Sequence, residues 1–234
     1  NTEEKVININ GSDTYTTKSG QIKSNQFVTD SKGNLHYLGV NGKLAMGVFK
    51  AADGYKYYAD ENGVVLTTSQ KVSWNGKSYI VKEGGRLASD QIGFANGLAY
   101  WVNKDCTVRT STFAYVKIST QKMYFYKNGK NLLATSVITG KLSTPTPTGD
   151  FAVTGKARNV RLTGPDWDVT VSYWISFVGS SIGFHDANWR SSWMFNDSNY
   201  YKANGSHGCV NMRTADATKL YNNIAKGTVV IVRK

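Results

Sequence analysis

The stretch Gly205-Ser206-His207-Gly208-Cys209-Val210-Asn211-Met212-Arg213, with Ile182-Gly183-Phe184-His185-Asp186 upstream of it, decides how this chain reads. The chain has three histidines and two cysteines, and two of those histidines stand with one of those cysteines here. A thiol attacks a carbonyl as its thiolate, and an ordinary cysteine, with a pKa near about 8.5, is mostly protonated at neutral pH. A histidine within hydrogen-bond reach can take that proton. The neighbouring glycines let the backbone turn sharply and bring N–H groups close to a developing oxyanion. Cys209 is therefore the candidate nucleophile, with His185 and His207 as candidate bases. His207 lies two residues from Cys209, on the same side of an extended backbone. His185 comes from a distant segment and can be aimed independently.

Around these residues the second half of the chain reads as mainly β. Alternation in Ala114–Ile118 predicts a strand. Gln121–Tyr126, the Lys127-Asn128-Gly129-Lys130 turn and Leu132–Ile138 predict a hairpin. Val169–Val178 and Thr228–Val232 are further strand candidates. One principal helix is expected between Thr214 and Gly227, with Thr214 capping, Ala217, Leu220, Tyr221 and Ile224 on one face, and Gly227 ending it.

The order of a histidine, a variable stretch and Ser-His-Gly-Cys-aliphatic-Asn resembles the L,D-transpeptidase catalytic domain, the YkuD family. So does Ser143-Thr144-Pro145-Thr146-Pro147-Thr148-Gly149-Asp150-Phe151, which is similar to that family's Thr-Pro-x-Gly-x-Phe element. The resemblance covers residues 113–234. It implies a β-sandwich-like domain that transfers peptidoglycan stem peptides through a thioester. On it, Cys209 is the nucleophile, His185 the general base, and the backbone carbonyl of Asp186 the group that orients the imidazole. His207 and Ser206 would shape the donor pocket, the N–H groups of Gly208 and Cys209 would form the oxyanion hole, and Asn211 and Arg213 would brace the loop or hold a substrate carboxylate. The implied reaction releases D-alanine from a tetrapeptide stem and passes the acyl group to an amine of a neighbouring stem, a 3-3 type cross-link. No cofactor or metal is implied. With water as acceptor the same site is an L,D-carboxypeptidase. Twenty residues separate His185 from Ser206, more than the family's usual gap, and they include Trp189, Trp193, Phe195, Tyr200 and Tyr201. They read as an enlarged flap over the cleft or as extra surface packing.

The first half is a repeat. Asn10-Gly11, Lys32-Gly33, Asp53-Gly54, Asn75-Gly76 and Asn96-Gly97 recur at spacings of 22, 21, 22 and 21 residues. Each is followed by an aromatic (Tyr15, Tyr37, Tyr57 and Tyr58, Tyr79, Tyr100 and Trp101), then by a second glycine (Gly20, Gly42, Gly63, Gly85) whose last slot holds Cys106. An aliphatic follows: Ile22, Leu44, Val65, Leu87 and Val108. Each unit reads as a short hairpin with an apolar face too small to bury alone, so neighbours must stack into a hairpin array. Residues 1–112 are similar to the cell-wall-binding and choline-binding repeats of Gram-positive surface proteins. That implies a wall polymer or glycan as partner, although most of the tyrosines are expected to form the repeat core. His36 reads as a packing or surface residue, and Cys106 as a degenerate repeat position.

Composition sets the outer limits. With 28 Lys+Arg against 16 Asp+Glu, the formal charge of +12 favours an anionic partner, and nine of those charges fall in residues 113–234. At 40% hydrophobic and 19% charged residues the chain is not a disordered polycation. No helix-turn-helix, RNP-like or zinc-finger pattern supports a nucleic-acid partner. The apolar runs are strand-sized, far short of the roughly 20 residues of a spanning helix. The start at Asn1-Thr2-Glu3-Glu4 reads as a processed or trimmed end. The expectation is an extracellular, wall-associated monomer. A zinc site on His185, His207 and Cys209 lacks a second cysteine or HExxH-type spacing, and a papain-like peptidase would place its cysteine before its histidine. An inert wall-binding module is the remaining alternative.

Overall fold

The computed structural model describes residues 6–9, 12–15, 21–164 and 167–234. The chain divides into two compact units, Asn1–Arg109 and Thr110–Lys234. Asn10-Gly11 and Gly20 lie outside the described residues.

The first unit is a succession of antiparallel hairpins. Val6–Ile9 (β1) pairs with Ser12–Tyr15 (β2), Gln26–Thr29 (β3) with Leu35–Leu38 (β4), and Gly47–Lys50 (β5) with Lys56–Ala59 (β6). Gln70–Trp74 (β7) pairs with Lys77–Val81 (β8), and Gln91–Ala95 (β9) with Leu98–Val102 (β10), which also carries Val108–Thr110 (β11). The repeated X-Gly signal serves two kinds of turn. Asn75-Gly76 and Asn96-Gly97 have φ of 48° and 71°, and 51° and 73°, the mirror-image turn that matches strand twist. Lys32-Gly33 and Asp53-Gly54 sit in longer loops, where Asp30 Oδ1 accepts the N–H groups of Lys32 and Asn34 and Asp53 Oδ1 that of Tyr55. The second-glycine slot explains itself by backbone angle: Gly42, Gly63 and Gly85 have φ of 71°, 73° and 88°, and Cys106 is held at 76° in the same place.

After each of those glycines the aliphatic residue bridges back, Leu44 to Leu38, Val65 to Ala59 and Leu87 to Val81. Stacking is carried by Val65 N–H to the Leu35 carbonyl and Leu87 N–H to that of Lys56. Tyr37, Tyr57, Tyr79 and Trp101 are buried, and Phe27, Tyr37, Phe49 and Tyr57 contact one another as a ring ladder. Ile22, by contrast, is 51% exposed and is not a core position. His36 is buried, its Nδ1 2.8 Å from the Gly63 carbonyl.

The second unit is two sheets packed face to face. Phe113–Lys117 (β12), Lys122–Lys127 (β13), Lys130–Ser136 (β14), Gly149–Ala152 (β15) and Val229–Arg233 (β20) form one, in the order β14-β13-β12-β20-β15. Gly155–Gly164 (β16), Trp167–Val178 (β17), Ile182–Asp186 (β18) and Val210–Met212 (β19) form the other in sequence order. Ala114, Val116, Met123 and Phe125 from the first sheet meet Ile175, Phe177, Phe184, Val210 and Met212 from the second in one core. Besides the single turn Tyr201–Asn204 (α1), the principal helix is Thr214–Asn223 (α2), which adds Ala217 and Leu220 to that core. The expected hairpin turn is there, with Asn128 and Gly129 at φ of 52° and 79°.

Both helix-end expectations are corrected. The chain leaves β19 in extended conformation at Arg213, so Thr214 is already the first helical residue and makes no cap. Gly227 turns the chain into β20 instead of ending α2, which stops at Asn223. The C-terminal carbonyls of Tyr221 and Ile224 are met by Lys156 Nζ from β16, a cation at the negative end of a helix. Among the described residues no helix is long and apolar enough to cross a membrane.

Leu220 is fully buried between α2 and the sheets, whereas Lys219 beside it is exposed. Leu220→Ala should lower the unfolding free energy of the second unit by ~2–5 kcal/mol in urea titrations, and Lys219→Ala by no more than about 0.5 kcal/mol.

Candidate active site

Strand register assembles the site. β18 pairs antiparallel with β17 and parallel with β19, which sets Trp174 opposite His185 and His185 opposite Asn211. Because side chains alternate along a strand, Phe184, Val210 and Met212 enter the core while His185 and Asn211 face the other side of the sheet. The imidazole of His185 lies between two indoles, Trp174 with ring centroids 5.9 Å away and Trp189 at 6.0 Å. Its Nδ1 is 2.9 Å from the Asp186 carbonyl oxygen, and its Nε2 is 2.9 Å from Asn211 Nδ2. The Asp186 carboxylate turns the other way and accepts the Tyr173 N–H at 2.9 Å. Burial is the first cause that pushes the His185 pKa down, against the raising effect of the Asp186 carbonyl.

Cys209 is the residue before β19, at the end of a loop held from several sides. Ser206 N–H bonds the Thr139 carbonyl, Lys141 N–H bonds that of Ser206, and Asn211 and Ile138 exchange a pair of backbone hydrogen bonds. The Thr-Pro element provides two straps: Thr144 Oγ1 donates to the Ser206 carbonyl at 3.0 Å, and the buried Thr146 hydroxyl donates to the Gly208 carbonyl at 2.8 Å. Thr146 Oγ1 also accepts the Gly140 N–H. Two glycines are obligatory for different reasons. At Gly205 a Cβ would lie 2.4 Å from Lys141 N and 2.5 Å from the Thr139 oxygen, and Gly208 has φ of 117°. The Cys209 thiol contacts the Ser181 carbonyl, Sγ to oxygen 3.8 Å. Burial pushes its pKa up, partly offset by the Gly183 N–H, which favours the thiolate. Both cysteines are free thiols.

Cys209, His185, His207, Ser206 and Asn211 line one cavity of ≈ 210 Å³. His207 stands at its exposed wall, stacked on Trp167 with centroids 5.7 Å apart and Nε2 3.4 Å from Lys141 Nζ. Ser206 is a brace: its hydroxyl donates to the Cys209 carbonyl and accepts the Gly208 N–H at 3.1 Å. The Gly208 N–H, expected from the resemblance to serve an oxyanion hole, is engaged within the loop by this bond. Arg213 does not line the cavity; its Nη2 donates to the Ser192 carbonyl and Asn196 Oδ1, and its guanidinium covers the Phe195 ring at 4.7 Å. These contacts tie the end of β19 to residues 192–196. Among the described residues no group of three or more His, Cys, Asp or Glu side chains is arranged to hold a metal ion.

Several wall residues escaped the sequence reading. Leu162, Trp167 and Val169 reach the cavity from the part of the β16–β17 ribbon that overhangs β18. The long gap after His185 divides: Trp189 and Arg190 line the cavity, Phe195 packs inward at 3% exposure, and Trp193 stays 59% exposed with its ring edge-on to Tyr200. Arg190 belongs to none of the motifs of the sequence. Its Nε donates to Asn211 Oδ1 at 2.8 Å and its Nη1 to the Asn204 carbonyl at 2.9 Å.

A thiol on a strapped loop and an imidazole on the adjoining strand thus share one cavity in a two-sheet domain. The family model for the L,D-transpeptidase catalytic domain, YkuD, matches residues 111–232, more than half of the chain, and the protein belongs to that family. The YkuD protein of Bacillus subtilis (strain 168) is 28% identical over 119 residues, which make up 51% of this chain and 64% of that relative. The catalytic domain of an Enterococcus faecium L,D-transpeptidase acylated by ertapenem is 33% identical over 52% of this chain and 96% of its own, with a TM-score of 0.46. The avibactam carbamoyl enzyme of Ldtfm covers 97% of this chain and 92% of its own at 20% identity and a TM-score of 0.51, a likeness of fold.

Cys106 is buried and its pKa is pushed up by burial, whereas Cys209 opens on the cavity. Iodoacetamide should label Cys209 and spare Cys106 in the native protein, with a rate that climbs until the pH passes the ordinary thiol range. Peptide mass spectrometry across a pH series reads both outcomes.

Proposed function

We propose that the second unit is a peptidoglycan L,D-transpeptidase whose nucleophile is Cys209 and whose general base is His185. The observation that carries the reading is their meeting in one cavity, in a chain of the YkuD family, with the imidazole already oriented by the Asp186 carbonyl. The sulfur attacks the carbonyl before the terminal D-alanine of a tetrapeptide stem while its proton passes to His185. The oxyanion that forms is met by the Cys209 N–H. Collapse breaks the C–N bond, His185 gives its proton to the departing D-alanine amine, and a thioester remains. An amine of a neighbouring stem then attacks the thioester, loses its proton to His185, and leaves a cross-link and a free thiol. Trp189, Trp167 and His207 wall the stem peptide from water, and this favours an amine as acceptor. The N-terminal hairpins would hold the enzyme at a polymer of the wall, where its +12 charge suits an anionic surface. Trp74, 37% exposed and edge-on to Tyr58, is an aromatic platform suited to a glycan.

Incubation with tetrapeptide dimers, read by mass spectrometry of the muropeptides, should give cross-linked stems and free D-alanine. Trimmed stems alone would identify a carboxypeptidase. Cys209→Ala should abolish both products, and His185→Ala should slow acylation by a carbapenem-type β-lactam by about 10²–10⁴-fold. Acylation of the His185→Ala variant at the parent rate would refute the assignment of the base.

The pH dependence follows from burial. His185 must be neutral to accept a proton, and its depressed pKa keeps it neutral to lower pH than an ordinary histidine. The acid limb of the acylation rate should therefore lie below about pH 6.5, and activity should fall as the pH drops through it.

A further inference from the structure

Arg190 lies outside the chemistry just described, yet its hydrogen bonds reach the base through one intermediary. A guanidinium only donates, so Asn211 must present its oxygen to Arg190, and the 2.8 Å contact from Nε is to Oδ1. The amide nitrogen of Asn211 then faces His185 Nε2 at 2.9 Å. Only a ring nitrogen without hydrogen can accept that N–H, so the imidazole proton sits on Nδ1, which donates to the Asp186 carbonyl at 2.9 Å. Three hydrogen bonds thus run in one direction, from the guanidinium to a backbone oxygen. The far side of Arg190 is anchored on the Asn204 carbonyl, and its Cζ lies 5.8 Å from the Tyr200 ring centre.

We propose that Arg190 is a positioning residue that, through Asn211, holds His185 in its neutral Nδ1–H form with the Nε2 lone pair covered until a substrate engages Cys209. The inference rests on His185 being the base. When the sulfur–carbon bond forms and the thiol proton moves to Nε2, both imidazole nitrogens carry hydrogen, and Nε2–H faces the N–H of Asn211. A half-turn of the amide would offer Oδ1 to His185 but would set its NH2 against the Arg190 guanidinium. With Arg190 in place, every arrangement of the imidazolium loses a hydrogen bond. The positive charge of Arg190 acts in the same sense. The resting site is therefore a neutral thiol beside a neutral imidazole, and the proton taken from the thiol is passed on quickly to the leaving amine. The other groups facing the ring do not reverse this. The Asp186 carboxylate on the same strand is turned to Tyr173, and its charge raises the His185 pKa, more than the charge of Arg190 lowers it, without overcoming burial; Trp174 and Trp189 are uncharged. Cys209 shares the cavity as a thiol, and His207 and Lys141 meet at its exposed wall.

Nitrogen-15 NMR of the histidine-labelled full chain reads tautomer and titration midpoint directly, with the three signals assigned through His36→Gln and His207→Gln. The parent should show His185 as the Nδ1–H tautomer. Arg190→Met frees the amide to turn and should raise the His185 midpoint by about one pH unit, with the acid limb of β-lactam acylation moving by the same amount. Arg190→Lys, still a pure donor, should retain the parent tautomer. Asn211→Asp presents oxygen to both neighbours and should raise the midpoint furthest, with Arg190 still present. A parent-like tautomer and midpoint in Asn211→Asp, or in folded Arg190→Met, would overturn the proposal. If Arg190→Met does not fold, the nearly isosteric Asn211→Asp decides. The NMR midpoint is independent of turnover, so it separates failure of this inference from failure of the assigned reaction, which Cys209→Ala reports.

Discussion

Everything at the site depends on the parallel pairing of β18 with β19. That register sets His185 beside Asn211, buries Phe184, Val210 and Met212 beneath them, and delivers Cys209 as the last residue before the strand begins. A slip of one residue would turn the imidazole into the core and Phe184 into the cavity, since side chains alternate with period two. The core therefore protects the site, because hydrophobic burial on one face fixes the chemistry on the other. β17 completes the arrangement by setting Trp174 across from His185.

The loop that carries the thiol is held in place largely by polar contacts. Ser206 closes it on itself, Thr144 and Thr146 tie its carbonyls, and backbone pairs join it to residues 138–141. Hydrogen bonds to buried carbonyls restrict a loop without side-chain bulk, which leaves the cavity open above it. Gly205 and Gly208 allow this closeness, the first by lacking a Cβ where three backbone atoms crowd in, the second by its left-handed backbone. The same economy recurs in the repeats, where a left-handed slot is so fixed by its turn that Cys106 adopts it in place of glycine.

The electrostatics favour a neutral resting pair. Burial opposes the thiolate of Cys209 and the imidazolium of His185 alike, and donors from Asn211 and Arg190 reinforce the second effect. The Gly183 N–H and the Asp186 carbonyl pull the other way, each favouring the charged form of its partner.

The amino-acid sequence by itself determined the hairpin repeat, the mainly β second half with its one helix, and the thiol–histidine constellation. Each of these is written locally: positive-φ positions in Asn-Gly turns, the alternation of Ala114–Ile118, and a glycine-flanked cysteine near scarce histidines. β16 and β18 were not legible, because a ribbon with one exposed edge and a short buried strand carry little periodicity of their own. Nor could the sequence show that Thr214 follows a strand too closely to cap, that the Gly208 N–H is engaged by Ser206, or that Arg213 turns away from the cavity. Arg190 makes the difference plain. Only the fold brings it to Asn211, since the meaning of a donor lies in which acceptor the tertiary structure sets before it.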